Sequence, residues 1–447
     1  MSNFYFGKET VASVNKSLDK KTIELLFEHF SIGLTQIALK NAEEHIFRIG
    51  DIELPVLKPG KEFVLRVNER GIAIVGRDEK TLMRGILVLV QNINLSEEGI
   101  AKVLYCELEG DYCLSNRMIH FCFFPETDFY FLKKMIRFAG MCQYTHVILE
   151  FWGTLKFDCL RELAWPDAIS RVKAKELIDE IRNFGMEPVP MINSLGHASF
   201  SRVGYGKHVV LDQNPRLQYL FTPDGWVWNI DSPKANALLA EIRKELYELF
   251  GEGEYIHIGC DEAYYYSFCD EKRKKLPAYL AKLTGDVEKE NRRPMVWMDM
   301  FLEREKYKEC YTAGHPGEED ELINSLSPKT VLVDWQYDVR QEPVESLKHL
   351  SAYNYDVMGA PWLRTDNQKA HIETLKKYDM FGVMLTTWHT LKAELPFVYT
   401  CAQHFNASFE WAKYSFFYEA SATLLRKLSF EGNDYISAGW AREQIDV

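Results

Sequence analysis

The stretch EYIHIGCDEAYYY (254–266) runs from an apolar, strand-like segment into two adjacent carboxylates and then into three tyrosines. Asp261 and Glu262 stand directly at the end of the apolar run. Burying even one carboxylate costs several kcal/mol unless the group is paired or protonated. The pair therefore either faces open water or belongs to a site that uses its charge.

Similar apolar runs alternate with amphipathic segments from residue 117 onward. Besides YIHIGCD (255–261), they are RMIHFCFF (117–124), THVILEF (145–151), EPVPMIN (187–193), RPMVWMD (293–299), TVLVDWQY (330–337), DVMGAPWL (356–363) and GVMLTTWH (382–389). Nearly continuous apolar strands are typical of a parallel sheet that is buried on both faces. Eight strand–helix units over this length predict an α/β fold, the (β/α)8 TIM barrel, for residues 111–447.

The segments between the strands have helical spacing of apolar residues, as in 128–142, 173–185 and 234–251, and a long helix is expected around 402–427. An open, doubly wound sheet is the alternative, but it would carry a Gly-rich phosphate turn after an early strand. GYGK (204–207) follows no strand. We therefore favour the barrel.

Residues 1–110 are predicted to form a small α+β domain before the barrel. KEFVLRV (61–67) and GIAIVG (71–76) are two short strands joined by NER, and DEKTLMRGILVLVQNI (78–93) has helical periodicity. Since no Pro- or Gly-rich linker follows, we expect a firm interface between the two parts.

Composition narrows the class of function. The 447 residues carry a formal charge of -12, which argues against nucleic-acid and anionic-membrane partners. The N-terminus lacks the apolar core of a signal peptide, and no apolar run reaches the roughly 20 residues that span a bilayer. Nine cysteines without CxxC spacing fit reduced thiols, so a cytoplasmic location is expected.

Polar and aromatic residues collect where the predicted strands end, which is where barrel enzymes place their chemistry. They are Glu150, Trp152, Asn193, His197, Asp261, Glu262, Trp297, Asp299, Asp334, Trp335, Tyr337, Trp362, Trp388 and His389. Each has an ordinary reading as a helix cap, a hydrogen-bonded histidine or a core indole. Cys260 fits an inert buried thiol better than a nucleophile. The convergence at consecutive strand ends is what indicates a site.

A metal site and a cofactor are not expected. A metal would need three or four converging ligands. His257 with Asp261 is only an i, i+4 pair on a strand, which does not supply them.

These residues resemble glycoside hydrolase family 20, the β-N-acetylhexosaminidases. IHIGCDE (256–262) is similar to the family signature H-x-G-G-D-E, with Cys260 in place of the second glycine. PMINSLGHASF (190–200) resembles P-E-I-D-x-P-G-H, with Gly196 and His197 matching and Asn193 in place of Asp. NRMIHF (116–121) is similar to the segment whose arginine holds sugar hydroxyls, which implies that role for Arg117. The small N-terminal domain fits the same family.

Two departures concern the sugar contacts. The family often has W-x-E at the last strand, where the Glu contacts the sugar near C4, whereas this chain has Trp388-His389-Thr390. LEFW (149–152) replaces the common H-x-T-D-D. Both differences resemble the intracellular hexosaminidase D type, and they put a strict gluco-over-galacto preference in doubt.

Adjacent carboxylates cannot flank a glycosidic bond, as the usual pair does at roughly 5–10 Å. They suffice when the substrate's 2-acetamido oxygen is the nucleophile. Asp261 is then expected to orient the amide and balance the developing charge, and Glu262 to act as acid and then as base. One of the two is expected to be an anion and the other an acid.

The other strand ends fit a closed sugar pocket. Trp297, Trp335 and Trp388 are predicted to enclose the acetamido methyl and the ring face. Tyr337 is predicted to position the acetamido oxygen, with Tyr264, Tyr353 and Tyr355 as competitors. His197 is included as a substrate-binding residue, and Glu150 and Asp299 are predicted to bind sugar hydroxyls.

The expected substrate is a small oligosaccharide or glycoconjugate with a terminal β-linked GlcNAc or GalNAc, and a homodimer is possible for a barrel of this size. One alternative is a conventional retaining β-glycosidase in which Glu150 or Asp334 is the nucleophile. Another is a non-catalytic sugar-binding barrel.

Overall fold

The structure is a computed structural model, and it describes residues 2–199, 206–388, 391–406 and 417–430. The N-terminal part mixes strands and helices. Its helices are α1 (Lys20–Phe30) and α2 (Glu79–Gln91), and its strands are β1 (Asn3–Tyr5), β2 (Glu9–Asn15), β3 (Gln36–Ala42), β4 (Ile46–Gly50), β5 (Phe63–Asn68), β6 (Gly71–Gly76), β7 (Asn94–Leu95), β8 (Ala101–Leu104) and β9 (Cys106–Glu109).

Two sheets form this part. One has the order β3-β2-β4-β6-β5-β9, with β2 and β3 parallel and the other pairs antiparallel, and the second has the order β1-β8-β7. Asp78 begins α2 with a capping box, because its side chain accepts from the Thr81 N–H while the Thr81 hydroxyl accepts from the Asp78 N–H. The predicted hairpin and helix are therefore confirmed.

The remaining strands close into a parallel barrel in chain order, with β10 paired to β17. They are β10 (Asn116–Phe123), β11 (His146–Phe151), β12 (Glu187–Met191), β13 (Tyr255–His257), β14 (Arg293–Trp297), β15 (Val331–Trp335), β16 (Asp356–Ala360) and β17 (Gly382–Thr386). The (β/α)8 prediction is confirmed, and each predicted strand overlaps an observed one. The predicted boundary near residue 110 falls between β9 and β10, and the division of the chain into two domains there stays a prediction.

Helices follow the strands around the barrel. They are α3 (Phe129–Met141), α4 (Arg171–Asn183), α5 (Val210–Gln213), α6 (Pro233–Phe250), α7 (Tyr264–Phe268), α8 (Asp270–Arg273), α9 (Leu276–Lys289), α10 (Glu319–Ser325), α11 (Glu345–Leu350), α12 (Thr365–Lys377), α13 (Leu391–Phe405) and α14 (Phe417–Arg426), with 3-10 helices at Arg161–Leu163 and Pro215–Leu220. Of the helix expected around 402–427, the described helical residues belong to α13, which begins at Leu391, and to α14, while residues 407–416 lie outside the described part of the chain. Among the described helices none combines the length and apolarity needed to cross a membrane.

Side chains that point inward from the strands fill the barrel. This inner core includes Met118, Ile148, Val189, Met295, Trp297, Val333, Met358 and Met384, all buried. A second, larger core lies between the strands and the outer helices and continues into the N-terminal part. Packing on both faces explains why the barrel strands are apolar almost throughout. The interior is therefore solid below the carboxyl ends of the strands.

Candidate active site

The adjacent carboxylates lie on a turn that follows β13 at the carboxyl end of the barrel. Gly259, Cys260 and Glu262 adopt the left-handed backbone region, with φ of 68°, 79° and 48°. For a residue with a side chain this conformation costs about 1–3 kcal/mol and concentrates at functional sites. The strand ends at His257, before the predicted end at Asp261, because the turn leads the chain out of the barrel wall.

Asp261 is a buried anion held by three groups. The Asn193 Nδ2 donates to its Oδ1 at 2.8 Å, and its Oδ2 lies 3.3 Å from His197 Nε2 and 3.7 Å from Lys207 Nζ. Burial raises the pKa of Asp261, but the charges of Lys207 and His197 outweigh burial and lower it to about 2. The carboxylate is therefore fixed in direction and charged near neutral pH.

His197 bridges the two carboxylates through a single nitrogen. Its Nε2 lies 3.3 Å from Asp261 Oδ2 and 3.1 Å from Glu262 Oε2. Burial lowers the pKa of His197, but Asp261 and Glu262 together raise it to about 9, so the ring is an imidazolium at neutral pH. Both carboxylates thus lie on one side of the site, around the same cation.

Gly196 makes this approach possible. A Cβ at Gly196 would lie only 1.9 Å from the carbonyl oxygen of Asp261. The loop that carries His197 and the turn that carries the carboxylates therefore touch backbone to backbone. A glycine is required at this position by contact rather than by its torsion angles.

Glu262 is more open than its neighbour. Its side chain is 27% exposed against 7% for Asp261, as expected for a group that exchanges protons with a leaving group and with water. Its backbone is anchored on both sides: the N–H donates to Asp299 Oδ2 at 2.9 Å, and the carbonyl accepts from Trp226 Nε1 at 2.8 Å. Trp226 also packs on the His197 ring, with centroids 4.5 Å apart.

Asp299 therefore supports the turn. Its second oxygen accepts from Trp335 Nε1 at 3.3 Å, and burial next to Asp261 holds its pKa well above the usual range. Both oxygens have protein donors. The prediction that Asp299 binds a sugar hydroxyl stays a prediction.

Glu150 and Lys207 form a buried ion pair beside Asp261. Lys207 Nζ lies 2.7 Å from Glu150 Oε1, and both side chains are at most 2% exposed. Glu150 Oε2 accepts from Trp152 Nε1 at 2.8 Å and lies 3.1 Å from His120 Nε2. Burial raises the pKa of Glu150, but Lys207 and His120 lower it well below its usual range. A sugar contact by Glu150 stays a prediction, because its oxygens already face these protein groups.

One group of side chains in the described residues is close enough to hold a metal ion: His120, Cys122 and Glu150. The Cys122 Sγ donates to Glu150 Oε2 at 3.3 Å. The Lys207 ammonium already neutralises the carboxylate, and burial raises the pKa of the Cys122 thiol well above its usual range. A thiolate ligand is therefore disfavoured, and we assign these contacts as hydrogen bonds.

The three tryptophans predicted to enclose the sugar occupy two different environments. Trp335 and Trp388 are half-buried at the mouth of the barrel, whereas Trp297 is 0% exposed in the interior, 4.4 Å from the His257 ring. Trp388 lies 5.0 Å from the His120 ring. Trp335 and Trp388 are thus placed to meet a sugar. The wall role of Trp297 stays a prediction, since the packed side chain has no exposed face.

Of the candidate tyrosines, two lie at the site. Tyr337 packs between Trp335 and Trp362, with centroids at 5.0 and 5.2 Å, and burial raises its pKa, so it is a proton donor at neutral pH. The Tyr264 hydroxyl pairs with Tyr311 beside Glu262.

The other two tyrosines are engaged on the outer helices. The Tyr353 hydroxyl binds Asp320, and the Tyr355 hydroxyl donates to the carbonyls of Ile323 and Leu326. The choice for positioning the acetamido oxygen is therefore narrowed to Tyr337 and Tyr264.

Neither alternative nucleophile is placed to attack a sugar. Asp334 is 0% exposed and accepts from Gln336 and Ser346, and burial raises its pKa to about 6. Glu150 is paired with Lys207. A conventional double displacement would require one of these carboxylates to be free and exposed.

The prediction for Arg117 is wrong. Arg117 is the second residue of β10, so it lies at the amino end of the barrel, opposite the carboxylates. Its guanidinium is fully buried and binds Glu62 through both terminal nitrogens, at 3.0 and 3.1 Å, and the Gln143 carbonyl through Nε. Arg117 therefore joins the N-terminal part to the barrel and cannot reach a sugar at the other end.

Sequence reasoning missed three contributors. Lys207 and Trp226 lie in loops where no periodicity marks them. Glu394, in the first turn of α13, accepts from the Trp388 N–H at 3.2 Å and from Trp362 Nε1 at 2.8 Å. His389 and Thr390, where the expected sugar-contacting Glu is replaced, lie outside the described residues.

Comparisons with known proteins agree with this geometry. The catalytic-domain model of glycosyl hydrolase family 20 matches residues 166–388, which include His197, Lys207, Asp261 and Glu262. No curated protein sequence matches the chain.

Several solved structures share the fold. A β-hexosaminidase from Streptomyces plicatus in complex with the product GlcNAc is 14% identical with a TM-score of 0.68, over 96% of this chain and 93% of that one. A β-N-acetylhexosaminidase from Bacteroides fragilis is 15% identical with a TM-score of 0.64, over 97% and 93%. A chitobiase from Flavobacterium johnsoniae is 14% identical with a TM-score of 0.67, over 100% and 72%. With its barrel, its Asp–Glu turn and the matching catalytic-domain model, the chain belongs to glycosyl hydrolase family 20, the family of the β-N-acetylhexosaminidases.

Proposed function

We propose that this protein is an exo-acting β-N-acetylhexosaminidase that removes terminal β-linked GlcNAc or GalNAc with retention. The substrate's own acetamido oxygen is the nucleophile. The observation that carries the proposal is the bridge of His197 Nε2 to both Asp261 and Glu262, at 3.3 and 3.1 Å. A protein nucleophile would need a free carboxylate facing C1, whereas Asp261 is buried and held by Asn193, His197 and Lys207.

In the first step the acetamido oxygen bonds to C1 while the bond from C1 to the leaving oxygen breaks. Glu262 gives its proton to that oxygen. The amide nitrogen gains positive charge as the oxazolinium forms, and the anionic Asp261 accepts its N–H and stabilises that charge. In the second step water bonds to C1, Glu262 takes a proton from the water, and the acetamido oxygen departs. The two inversions at C1 give net retention.

The proton on the His197–Glu262 pair can be held by either partner. The proton that reaches the leaving oxygen passes through Glu262, whose Oε2 lies 3.1 Å from His197 Nε2. After transfer the pair has one proton fewer, and it regains that proton from the attacking water.

Finer properties of the substrate belong to the same proposal. The Trp388-His389-Thr390 and LEFW (149–152) departures support the hexosaminidase D type and an active site that tolerates both configurations at C4. Nine free cysteines and the acidic charge support a cytoplasmic enzyme that acts on small oligosaccharides or glycoconjugates. A homodimer stays a prediction.

The test is release of a chromogenic phenol from its β-N-acetylglucosaminide, β-N-acetylgalactosaminide and plain β-glucoside. We expect turnover of the two acetamido sugars only, a loss of about 100-fold or more in Glu262→Gln, and a comparable loss in Asp261→Asn. The Glu150→Gln variant tests the alternative in which Glu150 is the nucleophile of a double displacement. Turnover of the plain glucoside that depends on Glu150 would refute the proposal, and binding of product without any turnover would leave a sugar-binding barrel.

A further inference from the structure

Lys207 is a buried cation beside Asp261 that the mechanism above does not use. Its side chain is 1% exposed, with Nζ 2.7 Å from Glu150 Oε1 and 3.7 Å from Asp261 Oδ2. The ammonium also lies 5.2 Å from the centroid of Trp152 and 5.3 Å from that of Trp388. Its backbone N–H donates to the His197 carbonyl at 2.7 Å, so the two cations are tied to each other.

Asp261 would be a costly anion without this lysine. A buried carboxylate keeps its charge only when nearby cations and donors outweigh desolvation. Among the residues that the structure describes, the groups that face Asp261 from the surrounding elements are Asn193, His197, Lys207, Glu150, His257, Cys260, Glu262, Asp299 and Tyr337. Among them, only His197 and Lys207 can supply positive charge near neutral pH, since burial holds the pKa of His257 at about 3.

The charge of His197 is shared between the two carboxylates, because its Nε2 also contacts Glu262. Each time Glu262 gives up or takes a proton, the charge on the His197–Glu262 pair changes. Lys207 has no contact of this kind: its partners are Glu150 and Asp261, and these carboxylates raise its pKa above the usual value despite burial. Its charge is therefore the same in every step of the reaction.

We propose that Lys207 is a positioning residue whose fixed charge, oriented by Glu150, keeps Asp261 ionised and aimed throughout the catalytic cycle. The order of contacts from Glu150 through Lys207, Asp261 and His197 to Glu262 alternates negative and positive groups. In this row of charged groups, Lys207 lies between Glu150 and Asp261, whose charges stay the same, whereas the His197–Glu262 contact exchanges protons with the substrate. The inference rests on the proposed function, since it concerns the Asp261 that holds the acetamido group.

The test compares kcat as a function of pH in the wild type, Lys207→Met and Lys207→Arg, on the chromogenic N-acetylglucosaminide. Folding at each pH is checked by tryptophan fluorescence. In Lys207→Met we expect the acid limb of kcat to move up by about one to three pH units, the size of shift that one close charge produces. Lys207→Arg retains the charge and is expected to keep the acid limb within about half a unit of the wild type.

Two further variants separate charge from structure. The double variant Lys207→Met/Glu150→Gln removes the carboxylate that the single change leaves unpaired, and its acid limb is still expected to be raised. Lys134→Met removes another buried lysine, on the outer helix α3, and is expected to alter the melting temperature without moving the pH profile.

Superimposable acid limbs for the wild type and both Lys207→Met variants would overturn the inference. The proposed function is judged separately, by Asp261→Asn. If Asp261→Asn loses the turnover of acetamido sugars while the acid limb of Lys207→Met matches that of the wild type, only the proposed role of Lys207 is refuted. If Asp261→Asn keeps full turnover, the function itself fails.

Discussion

Replacing Gly196 by alanine tests whether the backbone contact under the carboxylates sets the rate. The added Cβ would lie 1.9 Å from the Asp261 carbonyl oxygen and 3.0 Å from Ala263 N, whereas real Cβ atoms essentially never come within 3.0 Å of such atoms. The two loops must therefore separate by about 1.1 Å, and a displacement of that size in a catalytic geometry costs on the order of 100-fold in rate. Relief of the clash by backbone movement is expected to cost about 1–3 kcal/mol of stability.

The assay is kcat and KM on the chromogenic N-acetylglucosaminide, together with the melting temperature. We expect the variant to fold and its kcat to fall by about 100-fold, because His197 is displaced relative to the two carboxylates. The matched control is Gly285→Ala in α9, where a new Cβ meets nothing within 4 Å. That change is expected to leave kcat unaltered and to stabilise the helix by about 0.5–1 kcal/mol. A Gly196→Ala enzyme with more than a third of wild-type kcat would refute the reasoning.

Three other outcomes follow from burial and charge. Arg117→Met should lower the free energy of unfolding by about 3–5 kcal/mol, measured by thermal melts, because the buried Glu62 then has one cation fewer beside it. The kcat of this variant should stay within about twofold of the wild-type value. Cys260→Gly should change the free energy of unfolding by less than about 1 kcal/mol in urea melts, because a glycine relieves the strain of the positive φ and so offsets the loss of the buried thiol. Cys401→Gly, in α13, should lower the free energy of unfolding by more than about 2 kcal/mol, because it removes a buried thiol and places a glycine inside a helix. Burial lowers the pKa values of His146, His208, His257 and His371 to about 3–4. The contribution of these histidines to stability is expected to be full above about pH 6.5 and to fall by about 1.4 kcal/mol per pH unit and per histidine as the pH drops toward 4, because unfolding frees buried neutral rings to take up protons. A flat urea midpoint between these pH values would contradict this expectation.

The barrel could be predicted because its signal is local and repeated. Each strand is buried on both faces, so apolar runs mark it directly, and the charged residues that end the runs fall on one face of the molecule. The pattern predicts Asp261, Glu262 and His197 in this way, and in the structure both carboxylates lie within 3.3 Å of His197 Nε2. Cys260 was read as an inert buried thiol, and it is fully buried with its pKa raised.

The errors have a physical cause as well. The likeness of NRMIHF (116–121) to a family segment does not say at which end of its strand Arg117 lies, and that end decides which partners it meets. Lys207 belongs to a loop whose path is set by contacts over 50 residues away in sequence, with Glu150 and Asp261. Periodicity carries no information about such pairs. A buried ion pair between loops is therefore visible only once the fold is known.

The guanidinium of Arg117 has a consequence for attempts to shorten the enzyme. Glu62 is buried between Arg117 and Arg84, and these cations lower its pKa to about 2 against the effect of burial. A barrel excised at residue 111 would lose this carboxylate and keep the cation, now unpaired at the base of its first strand. Hybrid hexosaminidases built by exchanging N-terminal parts should therefore carry the glutamate and the arginine together, as one inherited unit that straddles the apparent domain boundary.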